Sequence, residues 1–80
     1  METKVAVIGI IVEYKENIPE LNSILSEFGK YIIGRMGIPH TTKNVNLISI
    51  AMDAPEEVIE SFNQRIEKLE GINAKTVVCK

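Results

Sequence analysis

Arg35 is the residue that chemistry singles out first. It is a charge inside an apolar run, Tyr31-Ile32-Ile33-Gly34-Arg35-Met36, and it stands directly before Gly37-Ile38-Pro39-His40. A guanidinium in that setting has two uses. It can block unwanted pairing along a sheet edge, or it can take a carboxylate of a ligand or a partner subunit through two parallel hydrogen bonds. His40 is the only histidine and Cys79 the only cysteine. Metal sites draw on two or more such donors at matched spacing. No H-x-x-x-H or C-x-x-C occurs, so the sequence names no metal site; His40 of one subunit with Cys79 of another is the one weak combination left. Cys79 reads as a strand-end thiol, since no base is identified beside it. Glu13, Glu16, Glu20 and Glu27 read as capping and solvated groups. Glu56, Glu57, Glu60, Glu67 and Glu70 alternate with Arg65 and Lys68 as a wet helix face. P-loop, GxGxxG and GxSxG motifs are missing, and Gly34-x-x-Gly37 alone specifies nothing. The pattern contains no catalytic constellation and names no cofactor.

Six elements must position these residues. Val5–Val12 is β-branched and uniformly apolar, which predicts a strand. Asn17 with Glu20 and Pro19 forms a helix start, and Ile18, Leu21, Ile24, Leu25 and Phe28 recur at helical spacing. This gives a helix over Ile18–Phe28, with Gly29 as its stop. Tyr31–Met36 is a second strand, in which Gly34 marks a bulge or a close approach. Gly37–Asn44 reads as a turn, because Gly37, Pro39 and a polar run punctuate it. Val45–Met52 is the third strand. Asp53 with Glu56 caps a second helix over Pro55–Glu70, whose apolar line is Val58, Ile59, Phe62, Ile66 and Leu69; Gly71 ends it. Ile72–Cys79 is the last strand.

The order is βαββαβ. It predicts an α+β, ferredoxin-like fold: one four-stranded antiparallel sheet with both helices on one face and the first and third strands central. Eighty residues allow a single domain over 1–80 with a thin core. Nine basic against eleven acidic residues leave a net charge of −2 and a pI near 5.3, which supplies no basic face for direct nucleic-acid binding. No apolar run reaches the ~18 residues of a membrane span. The start, Met1-Glu2-Thr3-Lys4, has no secretion signal, and a lone cysteine suits a reducing compartment, so the expected location is the cytoplasm.

The strands carry a further expectation. Val5, Val7 and Ile11 lie on one side of the first strand, and Ala6, Ile8, Ile10 and Val12 on the other. Neither side is polar, whereas a sheet with one wet face alternates. Two helices cover one face only, so the other would expose more apolar surface than a monomer usually tolerates. The expected cover is a second copy, as a homodimer or a dimer of dimers.

Two segments, Arg35-Met36-Gly37-Ile38-Pro39 and Asn46-Leu47-Ile48-Ser49-Ile50, carry a resemblance over nearly the full length. The opening Val7-Ile8-Gly9-Ile10-Ile11-Val12-Glu13 and the ending Gly71-Ile72-Asn73-Ala74-Lys75-Thr76-Val77 agree with it. The chain resembles the iron-only hydrogenase system regulators. These are stand-alone domains similar to the ACT domain and to the C-terminal ligand-binding domain of the nickel-responsive regulator. The resemblance implies oligomerisation through the sheet and a regulatory, non-enzymatic role in transcriptional control of a hydrogenase system. It places a small-ligand site at a subunit interface, with Arg35, Gly37, Pro39, His40 and Asn46 as the candidate contacts. The histidine-rich metal set and the ribbon-helix-helix DNA-binding arm of the nickel regulator have no counterpart here. A protein–protein interaction module without a small ligand is the alternative.

Overall fold

The first strand, β1, occupies Lys4–Val12, and its burial alternates strictly along its length. A 3₁₀ turn over Lys15–Asn17 leads into α1, Ile18–Glu27. A second 3₁₀ turn, Gly29–Tyr31, leads into β2, Ile32–His40, which is followed by β3, Val45–Ala54. The chain closes with α2, Glu56–Glu67, and β4, Ile72–Val78. This computed structural model describes residues 2–40 and 43–79, and for Pro39 and His40 the backbone alone.

All four strands are antiparallel neighbours in the order β2-β3-β1-β4. The two most apolar strands are therefore central, as the sequence predicts. Period-two alternation then sorts the side chains. Ala6, Ile8, Ile10 and Val12 of β1 and Ile50, Met52 and Ala54 of β3 face the helices. They meet Leu21, Ile24 and Leu25 of α1 and Ile59, Phe62 and Ile66 of α2 in one buried cluster. Both helices thus lie on the same face, which makes the ferredoxin-like α+β fold. Among the described residues no polar or charged side chain is buried.

The helices are tied to each other where α1 ends. Phe28 and Phe62 stack edge to face, 5.2 Å between centroids. The Arg65 guanidinium lies 5.7 Å from the Phe28 ring centre and donates to the Glu27 carboxylate. Gly71 closes the other end with φ +75°, a conformation that suits glycine. The Tyr14 ring packs so closely over it that an added Cβ would overlap the ring. The Gly71 carbonyl accepts from the Glu13 N–H at 2.7 Å.

Four local expectations are corrected. Gly37–His40 is not turn but the second half of β2, with Gly37 opposite Ile48 and Pro39 opposite Asn46. A proline fits there because β2 is an edge strand, where a missing N–H need not break a ladder. The turn is described at Lys43 and Asn44, where Asn44 takes the left-handed φ of 57°; Thr41 and Thr42 lie outside the described residues. Asn17 does not cap α1 with its side chain; its amide donates to the Glu70 carbonyl, a tertiary partner that wins over the local one. Asp53 sits within β3 opposite Val5, and Pro55 takes the cap position of α2, its carbonyl accepting from Val58 and Ile59. Helix α2 ends at Glu67 rather than Glu70. The bulge at Gly34 is present: the register shifts between Ile32 and Gly34.

Candidate functional site

Two hollows flank the hairpin of β2 and β3. The smaller, about 250 Å³, opens on the helix side of the sheet edge. Arg35, Gly37 and Asn46 line it, with Ile18 and Asn22 of α1 and Ile48 of β3. The strand period explains the set. Arg35 and Gly37 are two residues apart on β2 and so share a face; they pair with Ile50 and Ile48, which bring the same face of β3 alongside. Asn46 is two residues before Ile48. Gly37 has no side chain, and the nearest atom to an added Cβ is the Leu47 carbonyl oxygen at 4.0 Å. That space is the floor of the hollow.

Three of the five expected contacts, Arg35, Gly37 and Asn46, are therefore brought together. Pro39 and His40 continue the strand opposite Asn46 and Val45, and their side chains lie outside the described atoms. Ile18 and Asn22 were missed because they sit on the helix, four residues apart on one face, and carry no motif. Arg35 makes no ion pair or hydrogen bond among the described residues. Its charge is exposed to the groove rather than spent within the fold.

The larger hollow, about 760 Å³, lies along the opposite face of the sheet, with Glu67 of α2 also lining it. Cross-strand pairing fixes its base as the row Lys75–Gly9–Ser49–Met36, flanked by Asn73–Ile11–Leu47–Ile38. Gly9 and Ser49 are small, and the larger neighbours rise around them. Gly9, in the middle of an apolar strand, is the feature of the sequence that could have marked this depression. Beside Ser49, Asn73 and Lys75 the face carries exposed apolar side chains from β1, β2 and β4. Val7 is 48% exposed and Ile11 44%, while Ile8 and Ile10 beside them are 0% and 2% exposed. Met36 and Ile38 on β2 and Val77 on β4 are more exposed still. The two hollows share Ile38, Leu47 and Ile48.

Other candidates separate. His40 and Cys79 fall at opposite edges of the sheet, on β2 and just past β4, so one chain cannot bring them together. No cluster of three or more metal-ligating side chains occurs among the described residues. The loop before α1 is occupied by structure: Tyr14 covers Gly71, Asn17 holds Glu70, and the Asn17 and Ile18 N–H groups are bonded to the Tyr14 and Lys15 carbonyls. Among the described residues no helix is long and apolar enough to cross a membrane. The titrations that shift belong to the exposed pair Glu27 and Arg65. The hydrogen bond between them lowers the Glu27 carboxyl below its ordinary range and raises Arg65, while desolvation opposes both shifts.

The sequence profile of the TM1266-like family, described as "iron-only hydrogenase system regulator, putative", matches residues 4–76. The chain belongs to this family. Protein TM1266 of Thermotoga maritima has the same fold, with a TM-score of 0.94 and 22% identity over 99% of this chain and 100% of that one. A formyltetrahydrofolate deformylase from Pseudomonas putida KT2440 is similar at a TM-score of 0.65 and 10% identity, covering 91% of this chain and 28% of its own. A de novo designed protein, Foldit4, is similar at 0.62 and 19% identity over 99% of this chain and 98% of that one. At these identities the likeness is one of fold. Among curated proteins no match was found. The family's description is that of a regulator of a hydrogenase system.

Proposed function

We propose that the domain is a non-enzymatic regulator that works as an oligomer. Its bare sheet face closes on a second copy, and a small ligand held beside that seam by Arg35, Gly37 and Asn46, with Pro39 and His40 on the same strand, tunes the assembly. The output is control of a hydrogenase system, through transcription and by way of a partner that contacts DNA.

The observation that carries this reading is the exposed face built from Val5, Val7, Ile11, Met36, Ile38 and Leu47. Four strands about 4.8 Å apart and about nine residues long span roughly 19 by 30 Å. That is about 600 Å² in projection, close to the roughly 800 Å² that each partner gives to a standard interface. At ~25 cal/mol per Å², covering a few hundred Å² of apolar area stabilises an assembly by several kcal/mol. A copy of the same chain matches such a face in extent and polarity. Because both hollows share Ile38, Leu47 and Ile48, an occupant of the small one touches residues that a partner would cover. A ligand with different affinity for the single and assembled chain then shifts the balance between them.

The test is light scattering on the purified protein, with a thermal-shift screen of small acids, nucleotides and divalent metals. The expected result is an assembly of at least two chains, with at least one compound raising the midpoint. A monomer of 8.9 kDa that no compound stabilises would remove the reading.

A further inference from the structure

The small groove has one cation, two amides and an apolar floor, and this combination specifies a ligand class. Among the described residues Arg35 is the only charged side chain that lines it. A single guanidinium suits a carboxylate, which it can take through two parallel hydrogen bonds. A phosphate carries more charge and is usually met by several cations or a nest of backbone N–H groups. Among the described residues lining the groove there is no second cation. Asn46 is at the far end of the groove: its pairing partner Pro39 is four strand positions from Arg35, about 13 Å along the strand. Asn22 joins it from α1. The amides of Asn22 and Asn46 make no hydrogen bond to a described side chain or backbone group, so both can donate or accept. Between the polar ends the surface is Ile18, Ile48 and the open space above Gly37. The volume of 250 Å³ corresponds to about eight water molecules.

We propose that this groove binds a small organic monocarboxylate bearing a second, uncharged polar group a few bonds from the acid. Arg35 takes the carboxylate. Asn46 and Asn22 hold the distal carbonyl or hydroxyl, and the intervening methylenes lie over Gly37 and Ile48. The proposal names the ligand class for the site in the reading above and rests on that reading for its regulatory meaning.

The probe is levulinate, which has eight non-hydrogen atoms with a carboxylate at one end and a ketone toward the other. It is titrated into the ¹⁵N-labelled protein and followed through amide resonances. Comparison compounds are pentanoate, 2-pentanone and inorganic phosphate. The expected result is perturbation at Arg35, Gly37, Asn46 and the side-chain amides of Asn22 and Asn46. Levulinate should bind at least tenfold more tightly than each of the others. Arg35→Gln should weaken it at least tenfold, with Arg35→Lys in between, and Gly37→Val should abolish it by filling the floor. Both positions are exposed and open, so these variants keep the fold, and the same spectra verify it. Shifts centred on Gly9, Ser49 and Lys75 would overturn the site. So would affinity unchanged in Arg35→Gln, or phosphate binding as well as levulinate. The molar mass of the same samples separates the two proposals. An intact assembly without groove binding overturns the ligand class alone; groove binding by a stable monomer overturns the seam reading alone.

Discussion

Ile10 and Ile11 are adjacent on β1 and identical in composition, yet one is sealed and the other is nearly half exposed. The same contrast runs along the whole sheet. On the helix face, residues from β1 and β3 meet two helices of the same chain. On the other face, Val5, Val7 and Ile11 of β1 are as apolar but stay exposed, beside the polar Ser49, Asp53, Asn73 and Lys75. Along β1 hydrophobicity alone does not distinguish the two sides. Coverage does: eighty residues supply two helices, enough to close one side of four strands. The difference implies a division of labour, in which one face makes the fold and the other makes the assembly.

Charging each face in turn gives the largest contrast. Ile10→Lys places an unpaired ammonium in the core. The loss should reach most of the stability of a domain this size, roughly 4–12 kcal/mol at 0.05–0.15 kcal/mol per residue. Circular dichroism should show an unfolded chain. Gly71→Ala should cost less, about 1–3 kcal/mol for the left-handed backbone alone, and more because the Cβ overlaps Tyr14. A denaturant midpoint well below wild type checks this. Ile11→Lys should leave the helical signal intact, with chain stability within about 0.5 kcal/mol, while the assembly falls apart on a sizing column. If Ile10→Lys and Ile11→Lys behave alike, the two faces are not different in kind.

The smallest effect belongs to Glu27 and Arg65, which join the helices at an exposed edge. Hydrogen bonding to Arg65 lowers the Glu27 carboxyl in the folded state, against the opposing pull of desolvation. A depressed carboxyl contributes stability above its unfolded value, about 4.3, and loses it as pH falls through the lower folded value. The stability difference between wild type and Glu27→Gln should therefore shrink in acid below about pH 4.5 and stay level between pH 6 and 8. Both side chains are exposed, so the difference is small throughout.

Most of the fold was legible because its signals are local and periodic. The βαββαβ order and the central placement of the first and third strands follow from patterns of two and 3.6 residues; which side of β1 faces the core did not, because both of its sides are apolar. What misled were residues whose usual local meaning was displaced by a tertiary role. Gly37 and Pro39 normally break strands, but on an edge strand proline is tolerated and glycine opens a hollow. Asn17 and Asp53 have cap chemistry; one is drawn to the Glu70 carbonyl and the other is absorbed into β3. The candidate site was half legible. Arg35 and Asn46 stood out through a motif, whereas Asn22 and Ile18 reach the groove only because α1 packs beside the hairpin, a placement that no spacing in the sequence encodes.

The most direct measurement is sedimentation equilibrium of the wild-type chain over a wide concentration range. The account predicts a molar mass at least twice the 8.9 kDa of the chain, held down to low micromolar concentration. A mass of one chain throughout would contradict it, because the bare face would then be wet.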